Sequence, residues 1–323
     1  MSDNTQTPNR HTFNIKNLLP GLGFLLISMT VALFCVITMI RIWHLDFLGS
    51  ILIGLVLTGL IAALLNQAPN YHFNAHQLLD IKSAGVSIII HAVSAFITYY
   101  MSHELHFGPV LASALVGLIG GLILPQLGPE FYCGSFVGMC STYILTSYSD
   151  TLFAAALAGL IFHFSRHILN GFGGKLGTIA FCGDVLVLLI SGREIPHIPD
   201  QALEFSWTII LVAVVSTALT YYLHNHNNFS PVVASSMVGL LGGFLFPLLI
   251  PGQGEILAVV SYCASFTGMS NKMRLPTILK VVAAGLFTGI IFHFSSPFFV
   301  GLGGKLGTIA LGSTLAVWGF SEL

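Results

Sequence analysis

One ten-residue motif occurs twice in the chain, as Gly171-Phe172-Gly173-Gly174-Lys175-Leu176-Gly177-Thr178-Ile179-Ala180 and as Gly301-Leu302-Gly303-Gly304-Lys305-Leu306-Gly307-Thr308-Ile309-Ala310. Glycines let successive N–H groups turn toward one point. A helix starting just after them adds the positive end of its dipole, and lysine adds a full charge. Gly173, Gly174, Lys175, Gly177 and Thr178, with Gly303, Gly304, Lys305, Gly307 and Thr308, are therefore candidates for holding an anionic solute. The nucleotide phosphate loop is excluded, because its G-x-x-x-x-G-K-[ST] spacing is absent and leucine follows each lysine. The competing account is structural: the glycines allow close helix packing and the lysine stems reach toward an interface.

Asp184 follows Lys175 by about two and a half helical turns inside an apolar run. A carboxylate in hydrocarbon is costly unless paired or protonated, so Asp184 is expected to bind a coupling ion or relay protons. A structural ion pair with Lys175 or Arg166 is the alternative. By the repeat offset its counterpart is Thr314, a neutral polar partner. His163 and His293 each precede a motif lysine by twelve residues and join Asp184 as ion-coupling candidates. Each of them could equally lock its helix to a neighbouring carbonyl. Ser135 and Ser265, in matching Tyr-Cys-x-Ser-Phe-x-Gly-Met elements, are candidates for lining a pathway. Serine in a membrane helix more often bonds its own backbone. His91, replaced by Ala213 in the second copy, is a further candidate.

No metal site is expected. His103-Glu104-Leu105-His106 lacks the second histidine of H-E-x-x-H, whose place Phe107 takes. Nor does the chain carry a Ser-His-Asp spacing, a Walker motif or a dinucleotide fingerprint, so neither enzyme chemistry nor a cofactor is expected. The five cysteines all fall in apolar runs and read as small packing residues.

These groups need elements to hold them, and the composition says in what solvent. Of 323 residues 55% are hydrophobic and only 7% charged, with a mean hydropathy of +0.88. Soluble surfaces need roughly a quarter to a third charged residues, so an integral membrane protein is expected. The net charge of −1 gives nucleic acid no purchase.

Apolar runs long enough to span fall near 20–40, 48–66, 84–101, 107–125, 129–147, 151–169, 175–191, 205–223, 229–250, 255–270, 276–296 and 304–321. They predict an all-α polytopic protein of about twelve membrane segments, the two opening with Gly-Gly-Lys being either spans or re-entrant half-helices. With a cytoplasmic N-terminus, seven basic residues (Arg10, Lys16, Lys82, Arg166, Lys272, Arg274, Lys280) fall inside and two (Arg41, Arg193) outside, the motif lysines aside. Short loops fit a bacterial inner membrane.

The motif closes a longer duplication. Tyr99-Tyr100 matches Tyr221-Tyr222, and Phe107-x-Pro109-Val110 matches Phe229-x-Pro231-Val232, at an offset of 122. After an eight-residue insertion the offset is 130, pairing Tyr132-Cys133 with Tyr262-Cys263 and Ile161-Phe162-His163-Phe164-Ser165 with Ile291-Phe292-His293-Phe294-Ser295. The copies have diverged selectively: 84–98 and 206–220 agree at four of fifteen positions, Gly-Gly-Lys-Leu-Gly-Thr-Ile-Ala at eight of eight. The expected organisation is a cytoplasmic tail (1–18), two unrepeated transmembrane helices (19–83), repeat 1 (84–192), a linker (193–204) and repeat 2 (205–323). Five spans per copy would invert the second relative to the first, as in many secondary transporters.

The expected function is secondary active transport of a small anionic solute, driven by H+ or Na+ through alternating access. Alternatives are a passive channel for a small solute, or a membrane scaffold or intramembrane enzyme subunit. Expected partners are the lipid bilayer and a small-molecule or ion substrate. Self-association into a homo-oligomer is compatible with the chain.

Overall fold

A computed structural model describes residues 15–67, 80–195, 197 and 206–323. The tail (1–18), the connection between Asn66 and Ala84 and the linker (193–204) therefore lie largely outside the described residues. Among those described, regular structure is entirely helical: α1 (Ile15–Ile42), α2 (Phe47–Gln67), α3 (Ile81–His103), α4 (Pro109–Ile123), α5 (Gly128–Gly138), α6 (Tyr148–Ser165), α7 (Lys175–Ile190), α8 (Trp207–Asn225), α9 (Pro231–Leu249), α10 (Gly254–Gly268), α11 (Ile278–Ser295) and α12 (Lys305–Phe320). Local chemistry sets the starts. Pro109 and Pro231 occupy first helical turns, where the missing N–H costs nothing, and the Ser147, Ser230 and Thr277 hydroxyls accept N–H bonds from the first turns of α6, α9 and α11.

Six helices, α1, α2, α3, α8, α9 and α11, are long and apolar enough to cross a membrane. The chain reads as an α-helical integral membrane protein. The run 129–147 is not one helix: α5 stops at Gly138 after 11 residues. Tertiary bonds hold the chain beyond it in turns, since Ser141 N–H donates to Gly301 O at 2.8 Å, His103 Nε2 bonds Cys140 O at 2.9 Å and Tyr99 OH donates to Leu145 O at 2.7 Å.

Each of those bonds has an equivalent at the repeat offset. Asn271 N–H donates to Gly171 O at 3.0 Å, Asn225 Nδ2 to Ser270 O at 3.0 Å and Tyr221 OH to Leu275 O at 2.6 Å. The Cys133 thiol donates to Leu176 O and the Cys263 thiol to Leu306 O. Backbone strain is duplicated too. Among the described residues, the four non-glycine positions with positive φ are His106 and Asn228, at 56° and 58°, and Leu169 and Phe299, at 50° and 57°.

Where the copies meet, α7 and α12 cross at their first turns. Gly174 and Gly304 cap them in the left-handed region, at φ 88° and 71°. Gly174 packs on Leu311 and Gly304 on Phe181, so the helices run antiparallel over about two turns and then diverge. A methyl group at Gly177 would sit 2.7 Å from the Gly307 Cα. At 16 residues each, the two helices are about 24 Å long, less than the ~30 Å thickness of the hydrocarbon core.

Gly177→Ala is expected to lower stability by about 1–3 kcal/mol through overpacking. Gly85→Ala in α3, whose methyl meets nothing within 4 Å, should gain roughly 0.5–1 kcal/mol of helix stability. Melting curves of both variants in one detergent check the contrast.

Candidate functional site

Lys175 opens α7 and is buried, yet it lines a cavity of about 570 Å³ with Ser83, Gln126, Glu130, Phe162, Arg166 and Asn170. Its ammonium donates to Arg166 O at 3.1 Å and to Asn170 Oδ1 at 3.3 Å, which engages two of three donors. Glu130, 3% exposed, sits in the first turn of α5 and pairs with Arg166 at 3.0 Å. That pair is neutral as a unit, leaving Lys175 and the positive end of α7 to set the sign of the wall. The volume suits a small organic or inorganic anion.

Lys305 is placed differently. Its ammonium donates to Ser295 O at 2.8 Å, Ser296 O at 3.2 Å and Phe298 O at 2.6 Å, so all three donors are used within its own hairpin. A second cavity, of about 220 Å³, is lined by Ile37, Ile40, Arg41, Ile195, His197, Phe298 and Phe299. The two share no lining residue. Lys175 and Lys305 thus do not converge on one ligand, although their helices touch.

The motif glycines are enclosed by carbonyls. Gly173 lies against Phe266 O, Thr267 O and Ser270 Oγ; Gly303 lies against Phe136 O, Val137 O and Asp184 Oδ2. Thr178 and Thr308 bond back to Gly174 O and Gly304 O at 3.2 and 3.4 Å. Thr314 Oγ1 reaches across to Gly173 O at 3.2 Å. Asp184 is fully buried and neither oxygen makes a hydrogen bond among the described residues. The Cys140 thiol and the Gly303 N–H nevertheless face the carboxyl as donors, too poorly aligned to count as hydrogen bonds. Neither ion pair among the described residues, Arg166–Glu130 or Arg193–Asp150, includes it.

Ser135 and Ser265 belong to a hydroxyl network between the copies. Ser113 bonds Ser135 at 2.8 Å and Tyr262 OH at 2.9 Å, while Ser235 bonds Ser265 at 2.7 Å and Tyr132 OH at 2.9 Å. His163 and His293 are 3% and 2% exposed, each ring edge-on to the phenylalanine that follows it. They line neither cavity. His91 is buried, with Nδ1 2.7 Å from Ser87 O and its ring 5.1 Å from Phe162.

The motif search missed Glu130, Arg166 and Asn170. The signal was present: their counterparts at offset 130 are Val260, Ser296 and Val300, an asymmetry of the kind that singled out Asp184.

Lys305→Met strands three carbonyls and Lys175→Met strands two acceptors beside a cavity that admits water. Each buried unsatisfied group costs about 1–3 kcal/mol, so Lys305→Met should melt several degrees below Lys175→Met in matched detergent.

No protein-family model, curated protein or solved structure matches the chain, so its function is read from this geometry.

Proposed function

We propose that the protein is a secondary active transporter of a small anionic solute, driven by H+ or Na+. Two inverted five-helix repeats, 84–192 and 205–323, would alternate access to the site. One observation carries the reading: equivalent lysines differ in access, Lys175 facing a cavity of about 570 Å³ and Lys305 sealed by three carbonyls of its own hairpin. A carrier caught open to one side looks like this, because the half that is closed satisfies its polar groups internally while the open half offers them to ligand.

The duplicated tertiary bonds support a repeat, and the antiparallel crossing of α7 and α12 supports its inversion. With a cytoplasmic N-terminus, the Lys175 cavity faces the cytoplasm and the Arg41–His197 cavity faces outward. Two separate cavities favour a carrier over an open pore. The anion would be drawn in past Arg166, 41% exposed at its side chain, and held by the remaining donor of Lys175 and the first-turn N–H groups of α7. The buried carboxyl of Asp184, a member of neither ion pair among the described residues, would supply the coupling group. A bacterial inner membrane is the proposed setting.

Purified protein in proteoliposomes tests this. Under an imposed Na+ or proton gradient, a set of small carboxylates and inorganic anions should include one that accumulates. Lys175→Met should reduce that uptake about tenfold or more, the worth of one charge-assisted hydrogen bond. If no anion in the set accumulates, or Lys175→Met leaves uptake intact, the proposal fails.

A further inference from the structure

We infer that Asp184, with the carbonyl oxygens of Phe136 and Val137 at the C-terminal end of α5, forms a binding site for Na+. Its role as the coupling site rests on the transport reading; its existence as a cation site does not.

The geometry begins with α5 ending early. Phe136 O accepts the Met139 N–H at 3.3 Å and Val137 O the Cys140 N–H at 3.0 Å, with the Met139 N–H shared between the two carbonyls, so Phe136 O keeps a second lone pair. Both carbonyls face Gly303. A methyl group built there would lie 3.1 Å from Val137 O, closer still to Phe136 O, and 2.5 Å from Asp184 Oδ2. Three oxygens thus converge on one edge of Gly303, packed so closely that even a methyl group would not fit there. The negative end of the α5 dipole points the same way.

The equivalent place in the other copy shows what is missing. Around Gly173 stand Phe266 O, Thr267 O and Ser270 Oγ. There Ser270 donates to Thr267 O at 2.8 Å and accepts the Gly173 N–H at 3.0 Å, and Thr314 donates to Gly173 O. Hydroxyl groups satisfy that half internally. In the first copy Ser270 becomes Cys140, Thr267 becomes Val137 and Thr314 becomes Asp184. The Ser270 and Thr314 hydroxyls that satisfy the second copy are replaced by the Cys140 thiol and the Asp184 carboxyl, which leaves the thiol and the Gly303 N–H as donors among four acceptor oxygens.

A cluster of hard oxygens inside hydrocarbon is completed by a cation. Among the described residues, no side-chain cation pairs with it. Arg166 is held by Glu130, Lys175 by Arg166 O and Asn170, and Lys305 by three carbonyls. The titratable groups around Asp184 are the thiols of Cys140 on the turn after α5, Cys133 on α5 and Cys182 on α7. One carboxylate with neutral carbonyls matches a monovalent ion.

Melting of the purified protein tests the site, with NaCl, KCl and choline chloride compared at constant ionic strength and at several pH values. Na+ should raise the melting temperature by roughly 5 °C at about a hundredfold excess over its dissociation constant. Asp184→Asn should melt at a temperature independent of Na+. Asp184→Thr, which copies the folded second half, should do the same and guards against a variant that simply fails to fold. Equal melting of the wild type in Na+ and choline at every pH overturns the inference, as does K+ stabilising in place of Na+, or an undiminished Na+ effect in either variant. Na+ stabilisation that needs Asp184 in a protein that accumulates no anion upholds the site while the transport reading fails.

Discussion

The contact between Gly177 and Gly307 is the constraint on which the remaining architecture depends. Two helices that cross at Cα distance leave no volume for a side chain at either position. A crossing so close can form only if each chain enters it through a turn that L-residues disfavour. Gly174 and Gly304 supply that turn, and Gly173 and Gly303 pass between the carbonyls at the ends of α5 and α10. The hairpins are therefore rich in glycine for reasons of space. Their lysines then act as struts: each ammonium gathers acceptors of its own hairpin and holds the turn shut. One motif solves one packing problem twice, which is why its last eight residues stayed identical while flanking helices drifted.

Against that shared frame, the informative residues are the ones that broke the pairing. Glu130, Arg166, Asn170, Cys140 and Asp184 belong to the first copy, and Val260, Ser296, Val300, Ser270 and Thr314 stand in their places in the second. Four of the five changes place a charged or more polar group on the first copy, and four of these first-copy residues surround the Lys175 cavity or the Gly303 cluster. Packing alone would tolerate the same residues in both halves. Charge placed in only one half is costly in hydrocarbon unless a ligand or ion answers it.

Much of this was legible in the chain. The helical class and the membrane solvent follow from composition and run length, six of the twelve apolar runs appear as helices long enough to span, and the duplicated sequence follows from identities at fixed offsets. Asp184 stood out because it broke the repeat, and the structure leaves it without the ion pair that was its structural alternative. What the sequence hid were distances. It could not tell that the lysine ammonium groups turn back into their own hairpins, nor that α5 ends after 11 residues, because tertiary bonds to Gly301 and His103 stop it and no local breaker does. Arg166 read as a basic residue near an interface and a candidate partner of Asp184; its actual partner, Glu130, lies 36 residues away and leaves no local pattern. The Ser-Tyr network was equally invisible, being assembled from four helices.

In the proposed carrier, Lys175 and Asp184 sit on one helix about 14 Å apart along its axis. At that separation two unit charges interact by only about 1 kcal/mol at an effective dielectric of 20, less than a tenfold change in affinity. Electrostatics alone would couple an anion at one end to a cation at the other too loosely for obligatory co-transport. The helix between them offers a stronger link. A pivot of α7 about the Gly177–Gly307 crossing would move Lys175 relative to Arg166 and Asn170 and, in the same motion, move Asp184 relative to Phe136 O and Val137 O. Either ligand would then resist the pivot by its whole differential binding energy, the only currency in which one site can bias another. Glycines at the fulcrum make such a motion compatible with close packing, because no side chains have to be repacked where the two helices turn against each other.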